Sequence, residues 1–198
     1  SPRRNIKTEA QRFDREIRLF RKKDMLNMPE DGGVLFIGSS SIRRWSSLHQ
    51  DFPELDIIHR GFGGSTSDDV LKYMDHIVLP YNPAVIVYYE GDNDIPRGLT
   101  HEEIISNMRT FIDTVRKQDP EIKIFMISPN PSIARMHLWE KYKDLHERMK
   151  ILTDRYNLVY FVDVASPMFN TDGILMKEIF IYDGIHMNEK GYEIWEEV

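Results

Sequence analysis

Cysteine is absent from the 198 residues. Its absence excludes disulfide scaffolds, thiolate metal sites, thiol nucleophiles and iron–sulfur clusters. A cysteine-free chain suits cytosol, periplasm and extracellular space alike, so two addresses stand open: cytoplasmic, or exported after removal of a signal not present in this chain. No apolar run approaches the roughly 18 residues of a membrane-spanning helix, so stable membrane insertion is not expected. An excess of cations is also missing. With 26 Lys+Arg against 32 Asp+Glu the net charge is −6, the wrong sign for a nucleic-acid binder. Internal repeats, low-complexity tracts and Gly/Ser-rich linkers are lacking too. What remains is a chain long enough to bury roughly 70% of its unfolded surface, with no need of a structural metal.

Short β-branched runs alternate with longer helical patterns. The strand candidates are Val34–Ile37, Ile57–Arg60, Val85–Tyr89, Lys123–Ser128 and Val159–Asp163. Unbroken apolar runs such as Val34-Leu35-Phe36-Ile37 suit strands covered by helices on both faces, as in a parallel sheet. Helical patterns fall at about 66–79, 101–118 and 138–156, with a last one starting near Asn188. Pro80, Pro83 and Pro120 stand where helices should stop. Alternation of this kind predicts a doubly wound α/β domain, whose reactive groups gather beyond the carboxyl ends of the strands. The first segment differs. Residues 1–23 hold nine Lys/Arg against three acids, and Ile6, Ala10, Phe13, Ile17 and Phe20 fall on one helical face. We expect residues 1–30 to form an amphipathic helix packed on a single domain of residues 31–198; a basic helix lying on a membrane is the alternative.

Four loops carry candidate chemistry. Gly38-Ser39-Ser40-Ser41 follows the first strand, where a glycine turn can expose backbone N–H groups at a helix start. The segment can present a serine hydroxyl or cap a helix; a P-loop is disfavoured because its Gly-Lys-Ser/Thr ending is missing. Gly61-Phe62-Gly63-Gly64 follows the second strand and permits close backbone approach or merely a tight turn. Glu90-Gly91-Asp92-Asn93-Asp94 follows the third, where Asn93 can be a turn residue or aim its amide at a developing oxyanion. Glu90 and Arg135, the latter in the loop after the fourth strand, are candidate substrate-binding residues, Arg135 for a carboxylate or phosphate. Near the end stands Asp183-Gly184-Ile185-His186. Of seven histidines, only His186 follows an acid at i−3 in a glycine-containing loop before a helix. That spacing lets Asp183 reach the imidazole Nδ1–H and leaves Nε2 to accept a proton. Trp45, Trp139, Tyr88 and Tyr89 are candidates for the core or for lining a site.

Together these blocks resemble the SGNH hydrolases, the GDSL-type esterase/lipase superfamily, and are similar to bacterial platelet-activating-factor acetylhydrolase-like esterases. The matching residues, in order, are Gly38-Ser39-Ser40, Gly64, Gly91-Asp92-Asn93-Asp94 and Asp183-Gly184-Ile185-His186. One departure stands out: the family's usual Gly-Asp-Ser has Ser39 in place of its Asp. The resemblance implies a three-layer α/β/α sandwich around five parallel strands in flavodoxin-like order 2-1-3-4-5. It implies a catalytic Ser40, His186 and Asp183, with an oxyanion hole from the Ser40 and Gly64 amides and Asn93. The expected activity is serine ester hydrolysis of small, acetyl-type acyl esters through an acyl-enzyme. A lysophospholipase or thioesterase of the same fold is the alternative within that chemistry, and a non-catalytic binding module is the alternative outside it. No cofactor or metal is expected, the partner being a small-molecule ester.

Overall fold

The computed structural model describes residues 6–198, with side chains from Phe13 onward. Five strands, β1 (Val34–Gly38), β2 (Ile57–Gly61), β3 (Val85–Tyr89), β4 (Lys123–Ile127) and β5 (Val159–Val162), form one sheet. Their order is 2-1-3-4-5 and every pairing is parallel. The helices are α1 (Ile6–Leu26), α2 (Ser40–Arg43), α3 (Leu48–Asp51), α4 (Ser67–Ile77), α5 (His101–Gln118), α6 (Trp139–Asp154) and α7 (Glu189–Glu197).

Successive strand residues face opposite sides of the sheet, so an apolar strand feeds two cores. Leu35 and Ile37 of β1, with Ile86 and Tyr88 of β3, join buried residues of α1, α4, α5 and α6. Phe36 and Tyr89 point the other way, onto Ile42, Trp45, Leu48, Tyr192 and Trp195. These are the three layers expected. The strands match the sequence reading to within a residue. Pro80 ends the α4 region in a 3₁₀ turn over Leu79–Tyr81, and the N-cap Asn188 accepts hydrogen bonds from the Lys190 and Gly191 amides to start α7. The four-residue α2 and α3 have no counterpart in the expected helices, being too short to show a period.

From α1, Phe13 and Ile17 are buried in the first core and Phe20 is partly buried against it; Ile6 and Ala10 lie outside the described side chains. Each such buried side chain contributes roughly 1.5–3 kcal/mol. The helix is also pinned by polar contacts. Buried Arg60 donates to Asp24 at 2.6 Å and to the Tyr81 hydroxyl at 2.8 Å, and that hydroxyl donates to Asp24. Asp14 accepts from Tyr73 at 2.6 Å. Among the described residues, no helix is long and apolar enough to cross a membrane.

Candidate active site

Strand β1 ends at Gly38, where nothing larger fits: a Cβ there would stand 2.2 Å from the Tyr89 carbonyl oxygen. The chain turns, and Ser39 caps the short α2 with extended backbone. Ser40 is then the first helical residue. Among the described residues, no acceptor takes the Ser40 amide N–H, as expected at a helix start, and none takes that of Gly64. Across the site the chain from Ile181 to His186 folds back on itself, the Ile181 amide donating to the His186 carbonyl at 2.9 Å. Within this turn the Ile185 and His186 amides both donate to Asp183 Oδ1 at 2.9 Å, and Asp183 Oδ2 lies 2.5 Å from His186 Nδ1. His186 Nε2 lies 2.9 Å from Ser40 Oγ. The Tyr192 hydroxyl donates to the Ser41 carbonyl at 2.6 Å, fixing α7 to the turn that carries Ser40.

The tautomer follows from charge. Partial burial works to raise Asp183, but hydrogen bonds from the His186 ring and from the His186 and Ile185 amides outweigh it and hold the carboxyl down to about 2. An ionised carboxylate can only accept, so Nδ1 carries the proton and Nε2 is left to accept from Ser40.

The loop after β3 is folded inward. Gly91 has φ +111°, and a Cβ there would lie 2.7 Å from the Pro129 ring. Asp92 accepts from Ser39 Oγ on both oxygens, at 3.1 and 3.0 Å. The carboxylate that the family usually carries at position 39 is therefore met here by one at position 92, bonded to the serine that replaced it. Burial pushes Asp92 up to about 6, against the pull of the Arg135 charge and the Ser39 hydroxyl. Asp94 is likewise raised by burial to about 6, although Ser67 donates to it from both N and Oγ and Gly91 from its amide. Asn93 Nδ2 donates to the Ser65 carbonyl at 3.1 Å, which sets Asn93 beside the Gly64–Ser65 turn.

The geometry also places the two candidate substrate-binding residues. Glu90 is enclosed behind the site's surface. It is 0% exposed, Ser65 Oγ donates to its Oε1 at 2.5 Å, and its Oε2 has no partner among the described residues. Burial first, then the Asp94 and Asp92 charges, raise it well above the usual range and favour the protonated acid. Arg135 does not hold all of its guanidinium out for a ligand: Nη1 donates to the Asp92 carbonyl at 3.0 Å and to Asn93 Oδ1 at 3.2 Å. Trp45, Tyr88 and Tyr89 are buried in the two cores, while half-buried Trp139 packs on Phe169. Sequence reasoning missed Asp92 and Tyr142, whose hydroxyl also donates to the Asp92 carbonyl, at 2.6 Å. Asp92 stands 53 residues from the block that lacks its usual Asp, and no local spacing in the sequence links the two. Among the described residues, no cluster of three His, Asp or Glu side chains could hold a metal.

Comparison with known proteins gives the family and the fold. Residues 33–194 match the family model described as GDSL-like Lipase/Acylhydrolase family. An isoamyl acetate-hydrolyzing esterase of Saccharomyces cerevisiae is 23% identical over 163 residues, covering 73% of this chain and 67% of the relative. Among solved structures, a Streptococcus pneumonia protein provisionally described as a platelet activating factor superposes with a TM-score of 0.84 at 22% identity, covering 95% of this chain and 91% of that one. A variant of an acetyl-xylooligosaccharide esterase from Geobacillus Stearmophilus gives 0.69 at 18% identity, over 85% and 92% of the two chains. The structural likenesses speak for the fold, and the family match spans the four loops that carry the site. The chain belongs to the GDSL-like lipase/acylhydrolase family and is a carboxylic ester hydrolase.

Proposed function

We propose that the chain cleaves small acyl esters, of the acetyl type, through an acyl-enzyme on Ser40. The observation that carries this reading is the chain of contacts from Ser40 Oγ through His186 to Asp183, 2.9 Å and then 2.5 Å. Ser40 Oγ attacks the ester carbonyl carbon while its proton passes to His186 Nε2. Asp183 offsets the imidazolium charge and keeps its own proton-free state. The oxyanion is held by the Ser40 and Gly64 amides and the Asn93 side chain. Collapse of the tetrahedral intermediate expels the alcohol, which takes the proton from Nε2 as it leaves. Water then attacks the acyl-enzyme along the same path and releases the acid. Preference for short acyl groups is supported by two relatives whose names refer to acetyl esters.

Labelling with a fluorophosphonate, read by mass spectrometry, tests the nucleophile. An adduct on Ser40 is expected, together with loss of p-nitrophenyl acetate hydrolysis to near background in Ser40→Ala. Wild-type rates in that variant would overturn the assignment. Acetyl, butyryl and octanoyl esters compared side by side test the substrate class; a steep preference for octanoyl would replace the acetyl-type reading with a lysophospholipase or thioesterase.

A further inference from the structure

The loop between β4 and α6 touches both halves of the site. The Ala134 amide donates to the Gly184 carbonyl at 2.9 Å, inside the turn that carries Asp183 and His186. One residue on, Arg135 Nη1 donates to the Asp92 carbonyl at 3.0 Å and to Asn93 Oδ1 at 3.2 Å. Pro129 and Pro131 fix φ on this segment, and the Arg135 amide closes a turn onto the Ser132 carbonyl.

The contact to Asn93 decides which way its amide points. A guanidinium has donors only, so the atom it meets has to be the oxygen. The Ser65 carbonyl can only accept, so the atom facing it has to be the nitrogen. One Nδ2 hydrogen is spent on that carbonyl at 3.1 Å, and the other is left for a ligand. A cation donating to Oδ1 also draws electron density through the amide and strengthens the N–H at its far end.

We propose that Arg135 is a positioning residue that acts through Asn93: it fixes the orientation of that side-chain amide, polarises it toward the developing oxyanion, and ties it to the loop that braces the His186 turn. The inference rests on the esterase reading of Ser40, His186 and Asn93. It replaces a direct role for Arg135 in gripping an anionic substrate. Both hydrogen bonds leave from the single atom Nη1, so a lysine ammonium at the same place could make both, whereas methionine can make neither.

The test is a cycle of Arg135→Met, Asn93→Ala and the double variant, with Arg135→Lys alongside, assayed on a neutral and an anionic ester of the same acid. Asn93→Ala is expected to lower kcat about 10²–10³-fold. Arg135→Met is expected to lower kcat about 10–100-fold with KM nearly unchanged on both esters, as a misaligned catalytic group does. Arg135→Lys should recover most of that loss. In the Asn93→Ala background, Arg135→Met should cost less than about threefold, because the group through which it acts is gone. Full additivity of the two losses would overturn the proposal, and so would a rise in KM confined to the anionic ester. If Arg135→Met does not fold, Arg135→Leu, which also lacks a donor, takes its place in the cycle, with melting temperature as the check. Failure of the underlying reading would appear separately, as activity that survives Ser40→Ala.

Discussion

Restoring the family's usual aspartate at position 39 would set two carboxylates against each other. In Ser39→Asp the new group would occupy a fully buried position whose present hydroxyl already lies 3.0 Å from Asp92 Oδ2. With charge centres about 4 Å apart and an effective dielectric near 20, the repulsion is about 4 kcal/mol. A chain of this size loses roughly 2–4 °C of Tm per kcal/mol, so the variant should melt about 8–16 °C lower at pH 8. The penalty has a pH signature. Asp92 sits near 6, so at pH 5 it is largely protonated and can donate to its new neighbour, and most of the cost disappears. Adding Asp92→Asn moves the donor to position 92 and the carboxylate to position 39, and should restore most of the lost Tm at pH 8. Thermal melts of the two single variants and the double variant at both pH values decide the matter. Equal losses at pH 5 and pH 8, or no rescue by Asp92→Asn, would show that the Ser39–Asp92 pair is a packing contact and not a relocated charge.

The same carboxylates set the stability profile of the native chain. Asp92 and Asp94 are raised to about 6, so their stabilising share is complete below their unfolded values near 4 and is lost as pH rises through 6. Asp183, held at about 2, acts oppositely: its share is present above about 4 and is lost as pH falls toward 2. Urea midpoints should therefore be highest near pH 4–5 and decline toward pH 8, with a shallower decline in Asp92→Asn; a flat profile in both proteins would contradict the assignment. Asp24→Ala removes the acceptor shared by Arg60 and Tyr81, leaving a guanidinium whose side chain is only 4% exposed without its counter-charge. The expected loss is about 3–5 kcal/mol by urea denaturation, and a loss below about 1 kcal/mol would mean the pair behaves as a surface one.

Fold and site were legible to different depths, for physical reasons. The strands were readable because a parallel strand buried on both faces has to be a continuous apolar run, and Leu35-Phe36-Ile37 supplies both cores at once. Asp183 and His186 were readable as a pair because a three-residue separation in a turn is a local geometry, set by the chain itself. The approach of Ser40 to His186 spans 146 residues; only the topology of an α/β sheet and the family resemblance pointed to it. Ser39 with Asp92 and Arg135 with Asn93 belong to a third kind. They join side chains on separate loops, 53 and 42 residues apart, where no periodicity exists and no single block announces a partner. The burial of Glu90 was hidden for a related reason. A charged residue is normally solvated, yet this one directly follows a central strand whose carboxyl end is covered from both sides.

Three buried carboxyl groups on the loop that carries Asn93 pose an electrostatic problem for the proposed oxyanion hole. Fully ionised, Glu90, Asp92 and Asp94 would oppose negative charge developing nearby. Several features of the loop act against that outcome. Burial and mutual repulsion favour the neutral acid at Glu90. Asp94 accepts from two Ser67 groups and the Gly91 amide, so much of its charge is met by fixed donors. Asp92 is met by the Ser39 hydroxyl, with the Arg135 cation bonded to its carbonyl and to the neighbouring Asn93. On this view the replacement of aspartate by serine at position 39 is not a decayed motif. A fourth carboxylate there would tip the local balance toward net negative charge beside the proposed oxyanion position. A hydroxyl instead supplies a donor while the carboxylate sits one loop away, within reach of an arginine.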